Sequence, residues 1–410
     1  MTNTAKALLV GFYGKQNLGD DALLLATAWA NKHILKNEQA QCTASAPINL
    51  NDFKQTQATL KAEQKFPGQN RLLQYQLAWK SQQIVLGGGS VLHSAHDLNI
   101  KRLMLKLSSK FNLTSQQERQ HMAVGVGIEA FNDDKAEAAC KKFLAECPFI
   151  GLRDKDSYQR AKQLSPDANI SLTFDLAPLL LCHSHIVDYK KQLLSKSKFE
   201  RKRYGIAINL CSIPSDNLGN ANKSTEQRII SQYAKLICKL LKTTEQHITL
   251  ISLNAEPMIN HNRLNDDSLL QKVKETVAEN TEDKFSLFRL HIIKYHGDPL
   301  NMVKILSTFK LVIAMRLHAL ILSYINKTPV IAINYHPKCQ AWCKQINIAK
   351  KYQISPENTD LTALLTTIKT GLKHGFTPPK LPVRTALQQS LKNWRLSDEQ
   401  IEYYCRNSAL

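Results

Sequence analysis

Three features of the sequence predict an α/β fold of two doubly wound, Rossmann-like domains with a cleft between them. At 410 residues, 43% hydrophobic and 21% charged, the chain is too long for one ordinary core. Short β-branched runs alternate with helical stretches from end to end, the pattern of parallel βαβ units. That pattern breaks once, in a charge-rich stretch after Asp175, and then starts again.

In the first half, strands are expected at "KALLVGF" (6–12), "QIVLGGG" (83–89), "MAVGVGI" (122–128), "PFIGLR" (148–153) and "ISLTFD" (170–175). Helix-like segments lie between them, at 20–36, 100–110 and 134–146. Residues 1–184 therefore read as an N-terminal domain and 185–204 as a basic linker. A fresh strand, "GIAINLC" (205–211), opens a C-terminal domain at 205–376. "HITLISLN" (247–254), "LFRLHIIKY" (287–295), "FKLVIAM" (309–315) and "PVIAINY" (329–335) continue it. "TPPKLP" (377–382) then introduces a helical tail, 377–410, with a helix at 384–395. In open sheets of this kind ligands sit beyond the carboxyl ends of the strands. Strand-end residues therefore carry the functional reading.

Composition bounds the partners. Fifty-four Lys and Arg against 34 Asp and Glu give a formal charge of +20. Such an excess favours anionic partners, or simply a soluble, diffusely positive surface. No Arg-rich stripe interleaved with aromatics occurs, which argues against nucleic acid. The linker is the most basic stretch, with Lys190, Lys191, Lys196, Lys198, Arg201, Lys202 and Arg203. It reads as a solvated interdomain segment; the sharper alternative is peripheral contact with an anionic membrane or an anionic acceptor. Nine scattered cysteines fit neither a disulfide framework nor a zinc site, and read as small buried thiols in a reducing compartment. The N-terminus runs straight into a strand, and no apolar run approaches the ~20 residues that span a bilayer. A cytoplasmic location follows as the expectation, peripheral to the membrane's inner face if the basic stretch docks there.

The first strand end, "GFYGKQNLGDDALL" (11–24), passes through a Gly-containing loop into a helix near Asp20. N–H groups at a helix start favour an anion or a capping carboxylate, so Asp20 is either an N-cap or a cleft residue. Asn17 is a turn former or a ligand-side residue for the same local reasons. The loop is neither a Walker A sequence nor GxGxxG. At "IVLGGGSVLHS" (84–94), Gly87, Gly88 and Gly89 let backbone approach a ligand, with Ser90 placed to cap the next helix. "FIGLRDKDS" (149–157) sets Arg153 directly after a strand, as an anion ligand or a partner of Asp154. "LTFDLAP" (172–178) sets Asp175 at another strand end.

The most informative stretch is "LVIAMRLHALILSYINKTPVIAINYHPKC" (311–339), a strand, a helix and a second strand. A helix of about ten residues makes the flanking strands parallel near-neighbours joined by a right-handed crossover. Such strands end on one edge, ~4.8 Å apart. Arg316, His318 and Lys338 then converge beside a helix N-terminus with no carboxylate among them. Three cationic or potentially cationic groups there repel one another unless an anion completes the site; the structural alternative is a core histidine at 318 and a carbonyl clamp at Arg316.

In this order and at these separations, "GFYGKQNLGDDALL", "LGGGS", "GLRDKDS", "FDLAP", "AMRLHALILSY" and "INYHPK" resemble the polysaccharide pyruvyl transferase family. The resemblance covers roughly residues 7 to 345, and the RLHA element with a downstream Pro-Lys is its most specific part. His336 stands where many members carry an acidic residue. The resemblance implies a GT-B-like arrangement of the two domains. It also implies transfer of pyruvate from phosphoenolpyruvate to a sugar of a surface polysaccharide or its precursor, as a ketal. The acceptor is a saccharide, free or lipid-linked. No cofactor beyond the donor substrate and no metal are expected.

By that resemblance, Arg153, Arg316, His318 and Lys338 belong to the donor site, with Asp20 nearby. Arg and Lys suit the carboxylate and phosphate of the donor through charge-assisted hydrogen bonds. His318 is the candidate acid for the donor's methylene carbon, because an imidazole exchanges protons near neutral pH. Asp20 is the candidate base for the sugar hydroxyl. The alternative reading is a GT-B glycosyltransferase using a nucleotide sugar. From His318 to Tyr335 there is no acidic residue to grip a donor ribose, which weighs against the retaining type.

Overall fold

Burial on both faces turns the continuous apolar runs into central strands of two parallel sheets, each with its own core. The computed structural model describes residues 7–44, 53, 56–61, 63–109, 121–131, 133–197, 202–213, 223–254, 265–357 and 359–410. Lys198 and Arg201 of the basic stretch lie outside these residues, as does most of "SLNAEPMINHNRLNDDS" (252–268). The chain divides into two compact units. One comprises Met1–Lys15, Asp20–Val187 and Arg384–Leu410; the other comprises Gln16–Gly19 and Asp188–Val383.

The first unit holds strands β1 (Ala7–Val10), β2 (Ala40–Cys42), β3 (Thr56–Ala58), β4 (Gln83–Gly89), β5 (Met122–Val126), β6 (Ile150–Leu152) and β7 (Ile170–Leu172). All pair in parallel, in the order β3-β2-β1-β4-β5-β6-β7. Helices α1 (Leu18–His33), α2 (Gln69–Lys80), α3 (Ala95–Ser109), α4 (Asp134–Glu146) and α5 (Lys155–Leu164) cross between them. Helix α6 (Ser184–Ser195) follows, so residues 185–204 are helical over much of their length rather than an extended linker. Strand order reverses between β1 and β4, the switch point at which such sheets offer a crevice.

The second unit repeats the plan. Strands β8 (Ile206–Asn209), β9 (Ile248–Ser252), β10 (Leu290–Lys294), β11 (Leu311–Ala314), β12 (Val330–Ile333) and β13 (Gln353–Ile354) are parallel, in the order β10-β9-β8-β11-β12-β13. Helices α7 (Lys223–Thr243), α8 (Asp266–Asn280), α9 (Pro299–Ser307), α10 (Leu317–Ile325), α11 (Pro337–Gln345) and α12 (Leu361–His374) connect them. Its switch point lies between β8 and β11. Among the described residues no helix is long and apolar enough to cross a membrane. All nine cysteines are free and at least half-buried.

The C-terminal segment is not a free tail. Helices α13 (Val383–Leu391) and α14 (Asp398–Arg406) belong, from Arg384 on, to the first unit. Asn393 fastens them. Its Oδ1 accepts from the Gly125 backbone N–H at 2.7 Å and from Thr173 Oγ1 at 2.9 Å. Its Nδ2 donates to the carbonyls of Phe174 and Ser390, both at 3.0 Å. The amide presses so closely on β6 that any Cβ at Gly151 would collide with it. Replacing Asn393 by Ala orphans several buried groups and should lower stability by about 2–4 kcal/mol in urea unfolding.

A second expectation concerns acid. His121, buried just before β5, accepts the Ile84 backbone N–H on Nδ1 at 3.1 Å, and burial lowers its pKa to about 4. The unfolded chain protonates this ring near pH 6.5, so between 6.5 and 4 the unfolded state binds more protons. Its contribution is therefore complete above pH 6.5 and drains away towards pH 4. Urea unfolding from pH 7 to 4 should show this loss, on the order of 3 kcal/mol, and His121→Gln should flatten it.

Candidate active site

The carboxyl ends of β8, β11 and β12 form the edge that gathers the sequence-predicted cations of the second unit. As expected, β11 and β12 are parallel neighbours joined through α10. Arg316 is the residue at which α10 starts; its backbone N–H donates to Asn209 Oδ1 at 3.1 Å. Asn209, the last residue of β8, also donates from Nδ2 to the Ile251 carbonyl at 2.9 Å. One buried amide thus stitches the ends of three strands.

The guanidinium of Arg316 corrects the expectation of cations without a carboxylate. Nε and Nη2 donate to Asp266 Oδ2 and Oδ1 at 2.6 and 2.5 Å. Asp266 is fully buried in the first turn of α8, where it also accepts the Leu253 backbone N–H at 3.2 Å. Burial alone pulls the guanidinium pKa down, but the Asp266 charge outweighs it and holds the group above its ordinary value. Two of the five guanidinium donors belong to this pair. The side chain is 18% exposed.

His318 follows in the first turn of α10, half-buried, with its ring laid against Gly19. Any Cβ at Gly19 would collide with His318 Nδ1, so only glycine fits there. Gly19 is held by its neighbours: Asn17 bridges Asn254, and the Leu18 N–H donates to the Leu253 carbonyl at 3.0 Å. Asn17 Oδ1 accepts the Gly19 N–H at 3.0 Å, so Asn17, not Asp20, caps the start of α1. Lys338, half-buried, sits in the first turn of α11. His336 caps that helix, its Nδ1 accepting the Lys338 N–H at 3.3 Å. Cys339 ties the same turn to the end of β11 through the Met315 carbonyl, at 3.3 Å.

The remaining predicted residues lie in the first unit. Arg153 is 6% exposed; it donates from Nη2 to Ser90 Oγ at 2.9 Å and faces Asp154 Oδ2 at 3.4 Å. These contacts supply the partner reading of Arg153 and leave its role towards an anion open to test. Ser90 therefore holds Arg153 rather than capping a helix, because α3 starts only at Ala95. Gly87 and Gly88 are glycines for packing: a Cβ would strike Tyr13 and Thr27 at the first and Leu23 at the second. At Gly89, with φ +84, a Cβ would meet only Val91 and Leu23 at ordinary contact distance, and the backbone conformation is what favours glycine. Asp20 lies in the first turn of α1, and Asp175 caps the turn after β7 by accepting the Ala177 N–H at 2.9 Å. Sequence reasoning missed Asp266, Asn209 and Gly19 as site builders. Among the described residues no cluster of three His, Cys, Asp or Glu is placed to hold a metal.

A sequence profile of the polysaccharide pyruvyl transferase family matches residues 17–337, a span that includes Arg316, His318 and the residues holding them. The chain belongs to that family. No curated protein matches it by sequence. Solved structures match by fold. HepE of Anabaena, in complex with UDP and glucose, shares 10% identity over 97% of each chain, with a TM-score of 0.54. A putative UDP-N-acetylglucosamine 2-epimerase of Listeria monocytogenes shares 9% identity over 96% of this chain and 98% of its own, with a TM-score of 0.58. UDP-GlcNAc 2-epimerase of Neisseria meningitidis, bound to UDP-GlcNAc, shares 10% identity over 97% and 100%, with a TM-score of 0.57. These likenesses establish the GT-B-like class of fold for this family member.

The Arg316–Asp266 pair predicts an asymmetry in stability. Arg316→Ala leaves a buried carboxylate unpaired and should destabilise by about 3–5 kcal/mol. The double variant Arg316→Met, Asp266→Leu should recover most of that loss in thermal unfolding, because neither charge is then buried.

Proposed function

We propose that the protein transfers pyruvate from phosphoenolpyruvate to two hydroxyls of a saccharide as a ketal, releasing phosphate. The observation that carries this reading is the convergence of Arg316, His318 and Lys338 on one sheet edge, beside the N-termini of α10 and α11. Phosphoenolpyruvate carries a carboxylate and a phosphate. The remaining guanidinium donors of Arg316, the Lys338 ammonium and the first-turn N–H groups of two helices match that pair of anions.

His318 then supplies the proton that the reaction needs first. It protonates the methylene carbon, leaving the central carbon electrophilic. A sugar hydroxyl adds there, the bond to phosphate breaks, and a second hydroxyl closes the ketal. Of the two hydroxyl protons, one replaces that given by His318 and the other leaves with phosphate. Lys338 and Arg316 stabilise the departing charge. The acceptor is a polysaccharide or its precursor, free or lipid-linked, met on the cytoplasmic side of the membrane.

A nucleotide-sugar donor is the second reading, favoured by the UDP ligands of the proteins that share the fold. Thermal unfolding separates the two. Phosphoenolpyruvate at ~100 times its Kd should add ~2.7 kcal/mol of stability, and Lys338→Ala should remove most of that protection. His318→Gln should keep the protection, while phosphate release with saccharide acceptors falls by ~100-fold or more. Protection by UDP and none by phosphoenolpyruvate would overturn the proposal.

A further inference from the structure

Helix α10 runs from the Arg316 edge to the opposite side of the second sheet, nine residues or ~13 Å away. There Asn326 ends the helix, Lys327 takes a left-handed conformation with φ 56, and Pro329 leads into β12. A cavity of about 280 Å³ opens at this end, lined by Tyr324, Lys327, Pro329, Tyr352, Phe376 and Pro378 among others. That is room for about nine water volumes of ~30 Å³ each, or for a short hydrocarbon chain. Two of its hydroxyls already have partners. Tyr324 Oη donates to the Leu381 carbonyl at 2.8 Å, and Tyr352 Oη accepts the Thr377 N–H at 3.1 Å.

One lining residue, Lys327, is a cation, and two more cations lie close to it. Arg203 donates from Nη1 to the Lys327 carbonyl at 2.7 Å and from Nη2 to the Asn326 carbonyl at 2.8 Å. Lys190, on α6, lies close enough to feel both: burial first, then the charges of Arg203 and Lys327, lower its pKa to about 8. Among the described residues, no carboxylate pairs with Lys190, Arg203 or Lys327. Like charges held together without a counter-charge are unfavourable until an anion joins them.

We propose that this end of the second unit binds a phosphorylated single-chain lipid, its apolar chain in the cavity and its phosphate against Lys190, Arg203 and Lys327. Neither half of the site suffices by itself. The rings and prolines offer nothing to a bare phosphate, and the cations offer nothing to a neutral chain. The site stands apart from the Arg316 edge and does not depend on the reaction proposed there.

Decyl phosphate, below its micelle-forming concentration, is the probe for titration calorimetry on the whole protein. It should bind at least tenfold more tightly than either decyl glucoside or inorganic phosphate. The double variant Lys190→Ala, Lys327→Ala should weaken it tenfold or more. So should Thr377→Trp, which places a bulky ring at an exposed position on the cavity wall and keeps the backbone bond to Tyr352. Equal affinity for the glucoside would overturn the proposal, as would binding that neither variant changes. Unliganded melting temperatures like the parent's establish that the variants are folded. Phosphoenolpyruvate protection measured on the same proteins shows separately whether the Arg316 edge works.

Discussion

The buried pair between Arg316 and Asp266 is the constraint on which the proposed site depends. A carboxylate with no exposure is tolerated only if a cation and hydrogen bonds compensate it, and Asp266 receives both, from Arg316 and from the Leu253 backbone. The pair fixes the direction of the guanidinium before any ligand arrives. It also neutralises it. Arg316 is therefore less a free positive charge than a set of aimed donors, and among the described residues Lys338 carries the edge's unpaired ammonium. Because the strands are parallel, α10 and α11 both begin at this edge, and their N-termini add to the donors available there.

The two sheets share a strand order but finish their switch points differently. In the first, Tyr13 folds over Gly11 and donates to the Gly87 carbonyl at 2.8 Å. Arg153 closes the neighbouring strand end with Ser90 and Asp154. In the second, the equivalent position is kept polar by Asn209, whose amide organises three strand ends while Arg316 and His318 point from the helix that follows. Within each unit, the same topology yields a packed edge in one case and a donor-rich edge in the other. Side-chain choice at two or three strand-end positions makes that difference.

Much of this was legible in the sequence, and the failures have physical causes. Continuous apolar strands announce themselves, and the stretch from Leu311 to Cys339 gave its strand, helix and strand correctly. Strands β2, β3 and β13 escaped notice because two or three residues such as "AQC", "TQA" and "QI" carry no usable period. Asp266 escaped because "NDDS" reads as an ordinary helix start; nothing local says that the second residue is buried. Ser90 does not cap a helix, because α3 starts only at Ala95. The packing demand on Gly87 and Gly88 was not legible either, since it comes from Tyr13, Thr27 and Leu23, more than 50 residues away in sequence.

A fold shared with UDP-sugar enzymes at about 10% identity leaves the donor to be argued from side chains. An edge with helix N-termini and a positioned arginine holds a diphosphate and an enol phosphate alike, so the anion alone does not discriminate. The difference lies in what else each donor demands. A nucleotide sugar brings a ribose and a base, which call for a carboxylate and a stacking or hydrogen-bonding pocket; from His318 to Tyr335 the chain supplies no acid. Phosphoenolpyruvate brings instead a carbon that must be protonated, and this calls for one acid group held in place. The imidazole of His318 packs where Gly19 has no side chain to displace it, so its position is fixed by the fold, which is what the proposed role asks of it.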